Sequence, residues 1–239
     1  MFMQRKNVLI SPSILDSDLS DIGGTLRRLD LAGVDRIHLD VMDGHFVRNL
    51  SLGPHSIHSA RRHAKAPFET HLMISNPEKY IREFADAGSD IIIVHSEASH
   101  KLESTIRSIR RYGAMAGIAL KPGTKVEAAR KYLGKIDTLL IMGVHPGFGG
   151  QKFISGSLVK IKKARDMIDE LGFKTVVAVD GGMNAYTARL AIAAGADEIV
   201  AGSAIFKSNN PVKSIARLRK IADHELQVRN LSFRDRRIL

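Results

Sequence analysis

The chain has 239 residues, and 44% of them are hydrophobic, which is enough to bury the core of one large domain or two small ones. It contains no cysteine, so a disulfide framework, a thiolate metal site and a cysteine nucleophile are all excluded. The formal net charge of +11 agrees with a solubilising surface or with attraction of an anionic substrate, and the 5% of aromatic residues is too low to favour nucleic-acid binding.

The sequence predicts neither a signal peptide at its N-terminus nor a membrane helix. The stretch from Met1 to Asn7 lacks the apolar core of a signal peptide, and no apolar run approaches the roughly 18 residues of a membrane helix. We therefore expect a cytoplasmic protein that binds neither membranes nor nucleic acid. A basic C-terminal helix and tail, remote from the chemistry, is predicted from about residue 213. Its cations are Lys213, Arg217, Arg219, Lys220, Arg229, Arg234, Arg236 and Arg237.

Eight short apolar or β-branched runs alternate along the chain with longer amphipathic stretches. Residues 154–171 are one such stretch, with Leu158, Ile161 and Ile168 at roughly helical spacing. This alternation implies parallel strands joined by right-handed crossovers. The predicted strands are Val8–Ser13, Arg36–Val41, Phe68–Met73, Ile91–His95, Ala116–Leu120, Thr138–Met142, Thr175–Asp180 and Glu198–Ala201.

A closed barrel and an open doubly wound sheet both satisfy this pattern. The count of eight units, the length of the chain and the absence of a linker favour the barrel. No break in composition suggests a second domain. We therefore predict that residues 1–239 form a single α/β domain, a (β/α)₈ TIM barrel that carries the basic helix and tail at its end.

The second predicted strand places two chemically active side chains on one face. Because side chains alternate across a strand, His38 and Asp40 share a face, whereas Ile37, Leu39 and Val41 share the other. The apolar set is expected to pack against the helices, so His38 and Asp40 point into the barrel. Burial without partners would cost several kcal/mol, so something must satisfy them.

A divalent cation is one partner for these side chains. His71 on the third predicted strand and Asp180 at the end of the seventh are two further candidate ligands, and two imidazoles with two carboxylates suit zinc, manganese, iron or cobalt. The alternative is that each histidine is a hydrogen-bonded core residue. Since functional side chains gather at the carboxyl-terminal ends of barrel strands, the four residues together favour the metal site.

A metal ion between two aspartates suits proton transfer beside a ketone, because a cation stabilises the enediolate that forms. If one carboxylate takes the proton from one face and the other returns a proton to the opposite face, the carbon inverts. Predicted strands 2 and 7 are three steps apart around a ring of eight. Asp40 and Asp180 can therefore approach a flat intermediate from opposite sides, as a two-base epimerase requires.

Glycine clusters follow the last three predicted strands, in the region where barrel enzymes often bind phosphate. Glycine lets backbone N–H groups approach an anion closely, although single clusters of this kind also form plain turns. The residues are Gly147, Gly149, Gly150, Gly181, Gly182, Gly202 and Ser203.

Three methionines, Met42, Met73 and Met142, fall at or just past strand ends. Scattered methionines usually fill gaps in a core. At these positions they would wall the pocket with an apolar surface that excludes water.

Six sequence blocks, spread from about Val8 to Phe206, together resemble the ribulose-phosphate 3-epimerase family. They are Ser11-Pro12-Ser13-Ile14-Leu15, His38-Leu39-Asp40-Val41-Met42-Asp43-Gly44 with Phe46 and Asn49 after it, His71-Leu72-Met73-Ile74, Pro146-Gly147-Phe148-Gly149-Gly150-Gln151, Val179-Asp180-Gly181-Gly182 and Ala201-Gly202-Ser203.

The resemblance implies interconversion of D-ribulose 5-phosphate and D-xylulose 5-phosphate, with one divalent cation (Zn, Mn, Fe or Co) as cofactor. It implies that Asp40 and Asp180 are the acid–base pair and that both bind the metal with His38 and His71. It also implies a homo-oligomer, because dimers and larger assemblies occur in the family. The implied substrate contacts are Ser13, His71, Gly147, Phe148, Gly149, Gly150, Asp180, Gly181, Gly182, Gly202 and Ser203.

The chain departs from the family pattern at four positions. Ala178 replaces the usual glutamate, which would remove a carboxylate from beneath the metal. His145 and Lys121 each replace an asparagine and add donors near the pocket, and Arg48 replaces a proline. These changes leave open another ketose phosphate, such as D-allulose 6-phosphate, as substrate. A metal-free phosphate-binding barrel and a non-catalytic basic binding protein are more distant alternatives.

Overall fold

Eight parallel strands form one sheet that curves into a nearly closed barrel. The computed structural model describes the backbone of residues 7–235 and the side chains of residues 7–231. Every predicted strand is present, and no boundary differs from its prediction by more than one residue. Strands β1 to β8 span Leu9–Pro12, Ile37–Met42, Phe68–Met73, Ile91–His95, Met115–Leu120, Thr138–Met142, Val176–Asp180 and Glu198–Ala201.

The strands pair in the order β1-β8-β7-β6-β5-β4-β3-β2, so the closed barrel predicted from the count of eight is confirmed over an open doubly wound sheet. The seam lies between β1 and β2. One parallel bridge between Ser13 and His38 joins the two strands at their carboxyl-terminal ends. At the other end, the backbone N–H of Ile10 donates to Asp35 Oδ2 at 2.7 Å.

Helices cover the outside of the barrel. A 3₁₀ helix, Val126–Lys135, connects β5 to β6. The helix predicted over residues 154–171 is shorter than predicted, because the N–H of Ile154 donates to the Gly143 carbonyl at 2.8 Å and so belongs to the preceding loop. Helices α1 to α8 span Ile22–Leu31, Pro54–Arg61, Ile81–Asp86, Leu102–Arg111, Ser157–Glu170, Ala185–Ala194, Ser203–Phe206 and Pro211–Asp235.

Helix α8 carries part of the basic charge into the fold. The Arg219 guanidinium donates to the Val8 carbonyl at 2.8 Å and pairs with Asp35. Arg229 is buried, and its Nη1 donates to the Ala196 carbonyl at 2.9 Å. Both arginines hold the helix to the amino-terminal side of the barrel and are not free surface cations, whereas Arg236 and Arg237 lie outside the described residues.

Within residues 7–235, none of the helices combines the length and the apolar character that crossing a bilayer requires.

Side-chain alternation divides the buried residues between two layers. Ile37, Leu39 and Val41 pack outward in the large cluster between sheet and helices, as predicted. The barrel interior has an apolar half, consisting of Ile91, Ile93, Ala119, Leu140, Met142, Ala178 and Val200. It also has a polar half on β1, β2, β3 and β8, consisting of Ser11, Ser13, His38, Asp40, Glu69, His71 and Glu198.

Candidate active site and metal centre

Four of the predicted site residues converge at the carboxyl-terminal end of the barrel. The ligand atoms of His38, Asp40, His71 and Asp180 all lie within 4.8 Å of one another. His71 Nδ1 is 3.0 Å from Asp40 Oδ1 and 4.0 Å from Asp180 Oδ2, and His38 Nε2 is 3.4 Å from Asp40 Oδ1. A divalent cation bonds to nitrogen and oxygen at about 2.0–2.2 Å, which places neighbouring ligand atoms about 3–4 Å apart. The spacing of the cluster therefore fits a cation.

One imidazole nitrogen in this cluster has no partner of its own. His38 Nε2 is buried and has no hydrogen-bond partner among the described residues. The other ring nitrogen, His38 Nδ1, lies 2.8 Å from Glu69 Oε1 and donates its proton there. Because Glu69 accepts the proton of Nδ1, Nε2 is the nitrogen that faces the cluster and can offer its lone pair to a cation. This arrangement fits a metal ligand better than a hydrogen-bonded core histidine.

The second imidazole ligand is oriented in a similar way. His71 Nε2 lies 2.9 Å from His95 Nε2, and His95 Nδ1 lies 3.2 Å from Glu97 Oε2. Burial lowers the pKa of His95 to about 4, so the ring is neutral at physiological pH. With its Nδ1 proton on Glu97, His95 accepts a hydrogen bond from His71 and leaves His71 Nδ1 facing Asp40. The sequence analysis noted His95 only as the end of a strand.

Beneath the cluster, an arginine lies between two buried carboxyl groups. Arg36 Nη1 donates to Glu69 Oε2 and to Glu198 Oε2, each at 2.7 Å. Ser11 Oγ donates to Glu198 Oε1 at 2.5 Å. Sequence reasoning missed this network, although the same strand alternation that selected His38 and Asp40 places Glu69 two residues before His71.

The network also bears on the consequence expected for Ala178. Ala178 is buried in the barrel interior, as predicted, but its register partner on β8 is Glu198. The barrel interior beneath the cluster therefore holds two carboxyl groups, those of Glu69 and Glu198. Position 178 itself carries no carboxyl group, but Glu198 on the neighbouring strand supplies one at the same level, and the effect of the substitution on metal affinity stays a prediction.

The two candidate acid–base residues differ in their electrostatic surroundings. Burial acts to raise the pKa of Asp40, but the neighbouring imidazoles of His38 and His71 outweigh it and hold that pKa well below the usual carboxyl range. Burial and the nearby Asp40 carboxylate raise the pKa of Asp180 to about 6. Two carboxyl groups with separated pKa values suit opposite roles in proton transfer.

The remaining predicted residues surround one pocket above the cluster. Asp40, Asp180 and Ser13 line it, and Ser13 Oγ donates to Asp40 Oδ2 at 2.6 Å. His71 is fully buried and does not line the pocket. The three methionines, Met42, Met73 and Met142, form part of the wall. The loops contribute Gly147, Phe148, Gly149, Gly150, Gly181, Gly182, Gly202 and Ser203.

The glycine loops are tightly packed and tied to one another. A β-carbon on Gly182 would lie 2.6 Å from the backbone nitrogen of Phe153, and its φ of +69° also favours glycine. Asn49 Nδ2 donates to the Gly147 carbonyl at 2.7 Å, so the loop after β2 holds the loop after β6. Gln151 Nε2 donates to the carbonyls of His145 and Phe148 at 2.7 Å and 2.8 Å.

Two of the departures from the family pattern have different positions relative to the pocket. His145 lines the pocket, as expected. Lys121 does not, because its Nζ lies over the ring of Phe46, 3.7 Å from the ring centroid. The Phe46 ring in turn lies 4.9 Å from the ring of His95. Lys121 therefore contacts the loop after β2, and Arg48 is exposed on the same loop.

The fold and the site define the class of this protein, a (β/α)₈-barrel enzyme. A model described as the ribulose-phosphate 3 epimerase family matches residues 9–206. A Bacillus subtilis protein named ribulose-phosphate 3-epimerase is 44% identical over 89% of this chain and 98% of its own length. A chloroplastic ribulose-5-phosphate-3-epimerase of Arabidopsis thaliana is 40% identical over 88% of this chain and 76% of its own length. The chain belongs to the ribulose-phosphate 3-epimerase family, and it is an isomerase.

Solved structures support the fold alone. The chain is similar to KGPDC from Streptococcus mutans, with a TM-score of 0.68, 16% identity and coverage of 92% of this chain and 99% of that one. A 3-hexulose-6-phosphate synthase from Salmonella typhimurium has a TM-score of 0.66 and 18% identity, with coverage of 91% and 99%. Both are consistent with the TIM barrel.

Proposed function

We propose that this chain inverts C3 of D-ribulose 5-phosphate to give D-xylulose 5-phosphate, by proton transfer through an enediolate. One observation carries the proposal. Two carboxylates, Asp40 and Asp180, meet two imidazoles at the pocket floor of a chain that belongs to an epimerase family.

The residues that would hold the metal are His38, Asp40, His71 and Asp180. Their donor set of two nitrogens and two oxygens suits zinc, manganese, iron or cobalt. A bound divalent cation supplies electrostatic stabilisation of the negative charge on the enediolate oxygens. The orphaned His38 Nε2 and the orienting contacts from Glu69 and His95 support this assignment.

Asp40 and Asp180 move the protons. They stand on β2 and β7, which are separated by β8 and β1 around the barrel. One carboxylate accepts the C3 proton from one face of the sugar, and the carboxylic acid opposite returns a proton to the other face. Ser13 Oγ, which donates to Asp40 Oδ2, keeps that carboxylate turned toward the pocket.

The other pocket residues bind the substrate and exclude water. The glycine loops after β6, β7 and β8 present backbone N–H groups to the phosphate end. Met42, Met73 and Met142 place apolar surface beside the reacting carbon, which limits protonation of the enediolate by solvent.

Solvent deuterium exchange tests the reaction directly. Metal-loaded enzyme in D₂O is expected to incorporate deuterium at C3 of ribulose 5-phosphate, because a two-base inversion replaces the C3 proton with one from a solvent-exchangeable acid. Metal analysis of the purified protein, followed by reloading with manganese, zinc, iron or cobalt, identifies the ion that supports the exchange. The absence of C3 exchange with every ion would exclude the pentose assignment.

A second candidate is 3-epimerisation of a different ketose phosphate, such as D-allulose 6-phosphate. The presence of His145 in the pocket lining favours it, because an imidazole there changes the donors that a sugar meets. A panel of four-, five- and six-carbon ketose phosphates compared by kcat/KM discriminates the two. The substrate with the highest kcat/KM is the one for which the pocket is built.

Three further properties are proposals of the same kind. We expect a homo-oligomer, a single barrel domain over residues 1–239 and a location in the cytoplasm. Light scattering of the purified protein measures the first, and limited proteolysis the second. Fractionation of the source cells measures the third.

A further inference from the structure

The side chains that line the pocket carry negative charge, and so does the phosphate of the proposed substrate. Three carboxylates line the pocket, those of Asp16, Asp40 and Asp180, and none of the described lining residues is lysine or arginine. A metal ion would offset Asp40 and Asp180. Asp16 stands apart from that cluster, so its charge needs another partner before a phosphate dianion binds beside it.

Asp16 lies between the glycine loops that are proposed to bind phosphate. It is the last residue of the 3₁₀ helix Ile14–Asp16, which begins two residues after the end of β1. A β-carbon on Gly149 would collide with its carboxylate, and one on Gly202 would lie 3.0 Å from Asp16 Oδ2. The side chain is only 14% exposed. The carboxylate therefore occupies the phosphate end of the pocket and not the surface beyond it.

A lysine reaches the same place from the last loop. Lys207 follows α7, and its Nζ is 3.2 Å from Asp16 Oδ1. The same Nζ is 3.2 Å from the point where a β-carbon on Gly150 would stand. Its side chain is 62% exposed, and ion pairs with one exposed partner contribute little to stability. The pair can open without loss of the fold.

We propose that Lys207 is the cation that binds the substrate phosphate in this chain, and that Asp16 holds its ammonium beside the glycine loops until the phosphate arrives. A phosphate dianion offers the ammonium more charge than one carboxylate does, so Lys207 moves to the phosphate. Asp16 then stays close to the bound anion and lowers its affinity. This inference rests on the proposed function, because it presumes a phosphorylated substrate.

Three variants test the proposal. Lys207→Ala is expected to raise KM for ribulose 5-phosphate about tenfold or more and to leave kcat within about twofold, because contact with the phosphate is present in ground and transition states alike. The inhibition constant of inorganic phosphate rises in parallel. Asp16→Asn lowers that inhibition constant. Lys213→Ala, an exposed lysine near the start of α8, removes the same charge and is expected to change neither value.

Inorganic phosphate binding separates this inference from the proposed function, because it needs no turnover. If Lys207→Ala binds phosphate as tightly as Lys213→Ala does, the proposed role of Lys207 is overturned. If Asp16→Asn binds phosphate no more tightly than wild type, the proposed role of Asp16 is overturned. Asp16→Ser serves as the second variant if Asp16→Asn fails to fold. Phosphate binding that depends on Lys207 in a protein without C3 exchange supports the inference and excludes the proposed substrate.

Discussion

The interior of the barrel has an apolar half and a polar half, and the buried side chains of each make different kinds of contact. In the apolar half, residues such as Ile93 and Leu140 are fully buried and contact one another through carbon atoms. In the polar half, His38, Glu69 and Glu198 are equally buried but are joined by hydrogen bonds and by Arg36. The same barrel scaffold therefore supports packing on one side and a charged network on the other.

The difference between the halves shows what orients the histidines of the site. Any apolar side chain of suitable volume fills the apolar half, so its residues specify little beyond shape. In the polar half each group has a directional partner, and Glu69 and His95 determine which nitrogen of His38 and His71 faces the cluster. Substitutions in the apolar half should therefore lower stability, whereas substitutions in the polar half should lower metal affinity.

The largest effect is expected from the acid–base pair. Asp40→Asn and Asp180→Asn should each lower kcat by at least about 10²-fold, because an amide can neither accept nor return the C3 proton. Steady-state assays in both directions measure the loss. Asp86→Asn, at an exposed position on α3, is the control. Near-normal turnover in either variant would remove that residue from the proposed pair.

A substitution in the apolar half should affect stability and not chemistry. Leu140→Ala removes a fully buried side chain and should lower the free energy of unfolding by about 2–5 kcal/mol. Metal affinity should stay within experimental error of wild type. Urea denaturation and metal titration measure the two quantities, with the exposed Leu31→Ala as control. A large loss of metal affinity in Leu140→Ala would contradict the division into halves.

A substitution in the polar half should affect metal binding and not stability. Glu69→Gln keeps an oxygen near His38 Nδ1 but removes the charge that fixes its proton, so metal affinity should fall by about 10- to 100-fold. Competition with a chelating dye measures this fall. Glu127→Gln, which neutralises an exposed glutamate, is the matched control. Equal metal affinity in both variants would show that Glu69 does not orient the ligand.

The last expected effect is a change of stability with pH. Burial and the neighbouring Glu69 raise the pKa of Glu198 to about 8, because Arg36 balances only one of two carboxylates. A carboxyl group with a raised pKa in the folded state stabilises below its unfolded pKa, and that stability is lost as pH rises through about 8. Wild type should lose stability relative to Glu198→Gln between about pH 5 and 8. Thermal unfolding across this range checks the sign, and parallel curves would contradict it.

Much of the site was predictable from local patterns. Strand alternation placed His38 and Asp40 inward, and the end-of-strand rule selected Asp180. The same rules place Glu69 and Glu198 on the inward face of their strands. They do not identify the network, because an isolated acidic residue in a strand gives no sign of its partner. Arg36 meets Glu198 across 162 positions of sequence, so only the closed barrel brings the two together.

The sequence by itself determined the eight strands, their parallel arrangement and the residues that gather at their carboxyl-terminal ends, because periodicity and side-chain alternation are local properties of the chain. Only the tertiary structure decided which nitrogen of each histidine faces Asp40, that Glu198 provides a carboxyl group beside Ala178, and that Lys207 meets Asp16 at the glycine loops. These contacts join strands and loops that are distant in sequence. Closure of the barrel sets their distances, and no spacing along the chain encodes them.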